Sequence, residues 1–246
     1  MGLKEDIEAE VSSVVAIRWN ERDSASVPSA EDVALGAGAV NIDAAMLYAD
    51  LAESTRIAMS LPPWLAAEIA KAFLATSCRI IRHHDGHIRS FDGDRVMGVF
   101  VGSDSCIRAA KAALQINWAV VNVLRPVFHR YSTFANSGIT IRHGVGIDVG
   151  HVFVARTGIR RNNDLIWVGR APNVAAKLAS IRDGDYSTYI TEDVFMKLDD
   201  WTYYKDGNSG PGGQIMWEQW RWPDVPVGMY ENIYRSTWKW VPPSGS

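Results

Sequence analysis

The chain has few of the features that mark a secreted or membrane protein. Only two cysteines, Cys78 and Cys106, occur in 246 residues, and their spacing fits neither a disulfide framework nor a CxxC metal site. No apolar run reaches the ~18 residues that a membrane span needs. Residues 1–6 carry too much charge for a signal peptide. We therefore predict a cytoplasmic protein that does not enter a membrane.

The chain also lacks a large excess of charge of either sign. Its net charge is −3, so composition gives no reason to expect nucleic acid or an anionic membrane as a partner. Apolar residues make up 47% and charged residues 22%, which is ordinary for a globular protein. A chain of this length can bury a sizeable core.

Three segments differ in composition. Residues 3–22 carry apolar residues at helical spacing, and a Ser-, Pro-, Ala- and Gly-rich stretch follows, so we assign residues 1–40 to an N-terminal helix and linker. Residues 41–200 form the predicted core. Six of the ten tryptophans lie in residues 201–246, where aromatic and polar residues alternate over 217–222. We predict a C-terminal extension that forms a β hairpin and packs on the core.

Within the core, hydrophobic periodicity predicts an alternation of strands and helices. Residues 42–50 read as a strand buried on both faces. A helical pattern from Thr55 to His84 is interrupted at Pro62-Pro63, which must start a new helix or break the old one. Further segments are a hairpin over 87–102, a helix over 104–129, two strands over 138–156 with a turn near 148–150, a strand over 164–169 and a helix over 173–182. This order predicts an α+β fold, with a ferredoxin-like βαββαβ sheet and helices on one face.

Two carboxylates stand at the ends of predicted neighbouring strands. Asp50 ends the first strand, just before a helix that Ser54 or Thr55 would cap. An Asp-Gly turn at residues 92–93 precedes Asp94. Two carboxylates beside a helix N-terminus can hold a divalent metal against a triphosphate. Taken alone, the pair is better explained as turn and cap residues.

Residues 44–55 and 88–100 resemble the catalytic domain of class III nucleotidyl cyclases, whose pattern is a strand ending in Asp followed by a Gly-Asp hairpin. The two aspartates are 94 − 50 = 44 residues apart, a spacing typical of that family. Residues 167–178 are similar to the family's Gly-x-x-Val-Asn-x-Ala-x-Arg-Leu helix. The resemblance covers residues 42–199 and implies a class III cyclase homology domain.

The resemblance implies catalysis by two Mn²⁺ or Mg²⁺ ions in each active site. Asp50, Asp94 and the backbone oxygen of Leu51 would hold the metals, which activate the ribose 3′-hydroxyl and neutralise the triphosphate. Backbone N–H groups at the helix start would bind phosphate, and these belong to Ala52, Glu53, Ser54 and Thr55. The family usually has Gly at the position of Glu53, so we expect that carboxylate to point to solvent.

The third motif supplies two further candidates. Asn173 matches the Asn that orients the ribose in this family. Lys177 stands where Arg is common, and a cation there would stabilise charge on the pentavalent phosphorus, without the bidentate fork of Arg. The alternative is a surface lysine on an Ala-rich helix.

The residues expected to read the base match neither purine pattern. Ser90 stands four residues before the hairpin Asp, where adenylate cyclases typically have Lys. Ile166 stands where they have Asp or Thr, and it offers no hydrogen bond. Tyr48 replaces the usual Phe two residues before the first Asp, on the same face of its strand, where a hydroxyl would suit a one-ring base. A core tyrosine is the alternative.

These features resemble the pyrimidine cyclases of bacterial Pycsar anti-phage systems, and within them the uridylate cyclases. The resemblance implies conversion of UTP to cyclic UMP and pyrophosphate, as a signal for a separate cyclic-nucleotide-sensing effector. It also implies a homodimer whose active sites are shared between chains, with Asp50 and Asp94 from one chain and with Ser90, Ile166, Asn173 and Lys177 from the other. A cytidylate or purine cyclase and a catalytically silent cyclase-like binding module remain alternatives.

Overall fold

The computed structural model describes residues 2–159, 162–223 and 232–243. The helices are α1 (Leu3–Val15), α2 (Ser54–Ser60), α3 (Pro63–His83), α4 (Ser105–Ala119), α5 (Arg125–Phe128), α6 (Ser132–Ala135), α7 (Arg170–Ala179), α8 (Glu192–Phe195) and α9 (Asp200–Tyr203). The strands are β1 (Asn20–Asp23), β2 (Gly38–Leu51), β3 (His87–Asp92), β4 (Arg95–Val101), β5 (His143–Ile159), β6 (Asn162–Val168), β7 (Thr188–Thr191), β8 (Glu218–Arg221) and β9 (Asn232–Ser236). A π-helical turn, Val120–Leu124, joins α4 to α5.

The strands form one mixed sheet in the order β3-β4-β2-β5-β7-β9-β8. The central strand β2 runs antiparallel to both β4 and β5, and β5 runs parallel to β7. Strand β1 pairs with the first residues of β2, and β6 pairs with the last residues of β5. This is the predicted α+β architecture with a central sheet.

Strand β2 is buried on both faces from Ala44 onward, with Tyr48 half-buried, as the apolar character of this part of the strand predicts. Ala45, Leu47 and Ala49 belong to the cluster that also contains the buried faces of α3 and α4. Ala44 and Met46 belong to a second cluster on the opposite face, which contains buried residues of α7. The expectation that helices cover one face therefore holds for α3 and α4, whereas α7 packs on the other face.

Three local predictions are wrong. Helix α1 ends at Val15 and has no buried residue, and residues 20–23 form β1 rather than continuing that helix. Residues 148–150 do not turn, because they pair with β2 in the middle of the continuous strand β5. The N-cap of α2 is Glu53, without a side-chain cap hydrogen bond, rather than Ser54 or Thr55.

The Trp-rich C-terminal segment contributes strands to the core sheet. Strand β9 pairs with β7 on one side and with β8 on the other. The sequence predicts hairpin arms on either side of the Gly-rich residues 207–213, whereas β8 and β9 both follow that stretch. Trp217 is buried, and its Nε1 donates a hydrogen bond to the carbonyl of Thr202 at 2.7 Å. In the described residues no helix combines the length and apolar character that crossing a bilayer requires.

Candidate active site

Asp50 lies one residue before the end of β2, with its side chain 12% exposed. Arg95, its neighbour on β4, places Nε 3.1 Å from Oδ1. Arg182, which follows α7, places Nη2 2.7 Å from Oδ2. The two guanidinium groups compensate a carboxylate that would otherwise be buried at high cost.

Asp94 lies in the turn between β3 and β4, immediately before Arg95. Gly93 has a left-handed backbone with φ of +60°, which explains the glycine of this turn. Oδ2 of Asp94 is buried and has no hydrogen-bond partner among the described residues. A buried carboxylate oxygen without a donor is rare and costly, so its position suits a ligand that supplies positive charge.

Asp50 and Asp94 could hold a divalent metal only together with substrate oxygens, and both oxygens of Asp50 are ion-paired with arginines. Nowhere in the described residues do three or more His, Cys, Asp or Glu side chains cluster as metal ligands. Mg²⁺ in phosphoryl-transfer sites is commonly bound by one or two carboxylates together with substrate phosphates. The donor set of Asp50, Asp94 and the adjacent backbone oxygen of Leu51 matches that chemistry.

The predicted phosphate-binding segment is only partly available. The N–H of Ala52 donates to the carbonyl of Arg142 at 2.8 Å, so Ala52 cannot offer it to phosphate. Glu53 has a left-handed backbone with φ of 57°, a conformation that glycine adopts without strain. Its carboxylate turns to Arg56, with 2.9 Å between Oε2 and Nη1. Ser54 and Thr55 occupy the first turn of α2, where N–H groups have no helical acceptor.

Two of the predicted base-reading residues share one row of the sheet. Ser90 pairs with Met97, and Met97 pairs with Tyr48, so their side chains point to the same face. Ser90 and Tyr48 are two strands apart, about 10 Å. Burial raises the pKa of the Tyr48 phenol, so it stays protonated at neutral pH and can donate a hydrogen bond.

Ile166 does not join this row within one chain. It pairs with Ala155, which pairs with Ala39 at the start of β2. Ala39 and Tyr48 are nine residues apart on that strand, about 30 Å. Ile166 is 41% exposed, so its side chain is available to another chain.

Helix α7 presents Asn173 and Lys177 on its exposed face. Nδ2 of Asn173 donates to the carbonyl of Gly169 at 3.0 Å. Lys177 lines an open cavity of ≈ 670 Å³, together with the two arginines that hold Asp50 and with Trp220 and Trp222. The cavity is therefore cationic and adjoins the Asp50 carboxylate.

The first turn of α7 is fixed by an ion-pair network. Arg170 Nε lies 3.3 Å from Oδ2 of the fully buried Asp148, and Nη2 lies 2.8 Å from Oδ2 of Asp193. Burial raises the pKa of Asp148. Thr191 donates a hydrogen bond to Asp148 at 2.7 Å, which helps to compensate its burial.

Sequence reasoning missed the two arginines that hold Asp50. Arg95 could have been found, because it directly follows Asp94 in the predicted hairpin and cross-strand pairing places it opposite Asp50. Arg182 is 132 residues from Asp50, and no local pattern signals that contact.

The fold matches that of class III nucleotidyl cyclase domains. The structure is similar to the crystal structure of the adenylyl cyclase CyaB from P. aeruginosa, with a TM-score of 0.65 and 19% identity over 80% of this chain and 95% of that chain. No protein-family model matches the sequence.

Sequence relatives give the particular family. The chain is 43% identical to a uridylate cyclase from Rhodovulum sp. (strain MB263), over 95% of this chain and 97% of the relative. It is 39% identical to a uridylate cyclase from Xanthomonas perforans, over 98% of this chain and 99% of the relative. The chain belongs to the uridylate cyclase family and is a nucleotidyl cyclase.

Proposed function

We propose that this protein converts UTP to 3′,5′-cyclic UMP and pyrophosphate. The observation that carries the proposal is the full-length similarity to proteins named uridylate cyclases. It is supported by Tyr48, which lies two residues before Asp50 on the same face of β2. A pocket without the purine-reading residues suits a one-ring base.

Asp50, Asp94 and the backbone oxygen of Leu51 hold two Mn²⁺ or Mg²⁺ ions in this proposal. When bound, such ions lower the pKa of the ribose 3′-hydroxyl and neutralise the triphosphate and its pyrophosphate leaving group. The partnerless Oδ2 of Asp94 supports this assignment. Arg95 and Arg182 orient the Asp50 carboxylate from two sides.

The nucleotide is positioned by α7 and by the start of α2. Asn173 orients the ribose, and Lys177 stabilises negative charge at the reacting phosphorus. Ser54 and Thr55 donate backbone N–H groups to the terminal phosphates. Glu53 contributes only backbone, since its carboxylate is engaged with Arg56.

Base choice depends on the protonated phenol of Tyr48. Uracil presents carbonyl acceptors, to which a phenol donates, whereas Ser90 can donate or accept. Ile166 supplies an apolar wall from the second chain of a homodimer. Within a single chain it lies at the far end of β2, about 30 Å from Tyr48. Each dimer then has two equivalent active sites.

The resemblance to Pycsar systems also suggests what the product does in the cell. Cyclic UMP made in the cytoplasm would be a second messenger in anti-phage defence, sensed by a separately encoded effector. A cyclic nucleotide suits this role because it is small, diffusible and distinct from its triphosphate precursor.

The test is incubation of purified protein with each of the four ribonucleoside triphosphates and Mn²⁺ or Mg²⁺, with products separated by chromatography and identified by mass. We expect cyclic UMP from UTP, and loss of at least about a hundredfold in rate for Asp50→Asn and for Asp94→Asn. Asp43→Asn is the matched control, because Asp43 lies on the same strand with its side chain 87% exposed.

Each other outcome has a defined meaning. Cyclic CMP, AMP or GMP as the main product would overturn the base assignment and leave a cyclase of different specificity. Full activity in Asp50→Asn would overturn the metal assignment. Nucleotide binding without any cyclic product would favour a silent cyclase-like binding module.

A further inference from the structure

A second cavity, of ≈ 350 Å³, lies at the start of β5 and is lined by His143. His143 begins β5 next to Gly144, which is the register partner of Asp50, so their side chains point to opposite faces. The ring of His143 lies 6.1 Å from that of Phe73 on α3. The cavity is thus enclosed by the start of β5, the end of α4 with its π-helical turn, and the segment after β9.

Two buried polar side chains line this cavity without a partner. His143 is 4% exposed and Ser187 is 5% exposed. Neither the two ring nitrogens of His143 nor Oγ of Ser187 has a hydrogen-bond partner among the described residues. Buried polar groups are almost always satisfied, so these atoms are placed for a ligand.

The cavity carries an excess of positive charge. Its lining includes the cations Arg125, Arg142 and Lys239 and one acidic residue, Asp185. Within the described part of the chain no carboxylate oxygen lies within 4.0 Å of the side-chain nitrogens of these three cations. Burial and the nearby Arg142 lower the pKa of Arg125, and the opposing effect of Asp185 is smaller.

The two arginines that line the cavity use only part of their hydrogen-bond donors within the chain. Nε of Arg125 donates to the carbonyl of Ile141 at 2.8 Å, and Nη2 of Arg142 donates to the carbonyl of Gly184. Each guanidinium has five N–H donors, so these single bonds orient the groups without exhausting them. The π-helical turn that delivers Arg125 is a feature frequently found at functional sites.

We propose that this cavity binds a small ligand that carries a phosphate group. Arginine forks match phosphate oxygens bidentately, and Lys239 adds a point charge. The hydroxyl of Ser187 and the ring N–H of neutral His143 are additional donors. The site is separate from the candidate active site and does not depend on the proposed reaction.

The test is isothermal titration calorimetry with inorganic phosphate, pyrophosphate or UMP, in EDTA so that no metal-dependent binding occurs at the active site. We expect Arg125→Gln and Lys239→Gln each to weaken binding by about tenfold or more, as for the loss of one charged hydrogen bond. Ser187→Ala should weaken binding less. Lys71→Gln on the exposed face of α3 and Lys177→Gln in the active site should bind as the native protein does.

Comparison of the three probes distinguishes a free phosphate or pyrophosphate ligand from a phosphate ester. The probe that binds most tightly identifies which class of ligand the cavity prefers. Lys239→Gln keeps the test decisive if Arg125→Gln fails to fold, because the Arg125 side chain also supports Ile141. No heat from any probe at millimolar concentration would overturn the proposal. Binding that is unchanged in both charge variants, or that is lost in Lys177→Gln, would also overturn it.

Discussion

Tyr48 brings a polar atom to the face of β2 that carries Asp50. Its phenol is protonated because burial raises its pKa, so Tyr48→Phe removes a donor and leaves the ring in place. We expect kcat/KM for UTP to fall by about threefold to tenfold, with a smaller change for the other three triphosphates. The measurement is the rate of cyclic product from each nucleotide.

Tyr203→Phe is the matched control for Tyr48→Phe. Tyr203 packs on Phe195 with ring centroids 4.9 Å apart, in the cluster on the opposite face of the sheet from Tyr48. Equal losses for all four nucleotides in Tyr48→Phe would mean that the phenol supports the fold and does not read the base.

His143 makes stability depend on pH. Burial, with Arg125 and Arg182 nearby, lowers its pKa from an ordinary 6.5 to about 3. Between these values the unfolded chain binds a proton that the folded chain does not. The free energy of unfolding therefore falls as pH falls from 6.5 towards 3, by up to about 1.4 kcal/mol per pH unit from this group.

Urea unfolding in phosphate-free buffer at several values between pH 7.5 and pH 4, chosen to span about this window, measures the effect. His143→Leu should flatten the pH dependence, since leucine does not titrate. His129→Leu removes an exposed histidine and should leave the dependence as in the native protein. Identical slopes for the native protein and His143→Leu would contradict the prediction.

At this scale, sequence reasoning found the residues with a local signal and missed those without one. Asp50 and Asp94 follow from a strand end and an Asp-Gly turn. The occupied N–H of Ala52 depends on a carbonyl 90 positions away, at Arg142, and no local pattern predicts it. The left-handed φ of Glu53 was signalled by the family's usual glycine.

Helix α7 lies on β5 at glycine positions. A Cβ built on Gly146 would stand 2.2 Å from the carbonyl oxygen of Ala175, whereas on Gly150 the nearest atom, Cβ of Ala171, is 3.8 Å away. Gly146→Ala should therefore lower the free energy of unfolding by ~1–3 kcal/mol. It should also reduce cyclase activity, because α7 carries Asn173 and Lys177.

Gly150→Ala is the control on the same strand, with an expected change within ~0.5 kcal/mol. Urea unfolding and the rate of cyclic UMP formation measure both variants. Similar losses in the two would show that glycine is needed for the strand itself and not for the approach of α7.

Elements bounded by proline or glycine could be predicted from the sequence. Elements that depend on tertiary packing could not. Pro63 begins α3, and Gly93 forms the hairpin turn, as predicted. The sequence near Gly150 predicts a turn. In the structure, Gly150 lies within the continuous strand β5, beneath α7. Residues 20–23 have no hydrophobic alternation and form β1 only because β2 supplies a parallel neighbour.

At the scale of the whole molecule, the residues proposed to read the base do not come together in one chain. Tyr48 and Ser90 share a row, but the sheet register places Ile166 at the far end of β2. Ile166 and Val168 are 41% and 52% exposed on β6, which gives this end of the sheet an apolar surface. A second copy in a head-to-tail arrangement would bring Ile166 of one chain to Tyr48 of the other.

Mixing two inactive variants tests this arrangement. Asp50→Asn removes a metal ligand from one side of each site, and Asn173→Ala removes the ribose contact from the other. In a heterodimer, one site carries both changes and the other carries neither. Random reassociation makes half of the dimers mixed, so activity should return to about a quarter of the native value, although each variant alone is nearly inactive.

Differently tagged chains, purified together, show whether mixed dimers have formed. If mixed dimers form and activity does not return, each site is built within one chain, and Ile166 then has no role in base choice. If no dimer forms at any concentration while the native protein is active, the shared site is excluded. A return of activity that rises with the mixed fraction requires both chains at one site, because neither variant alone supplies the missing group.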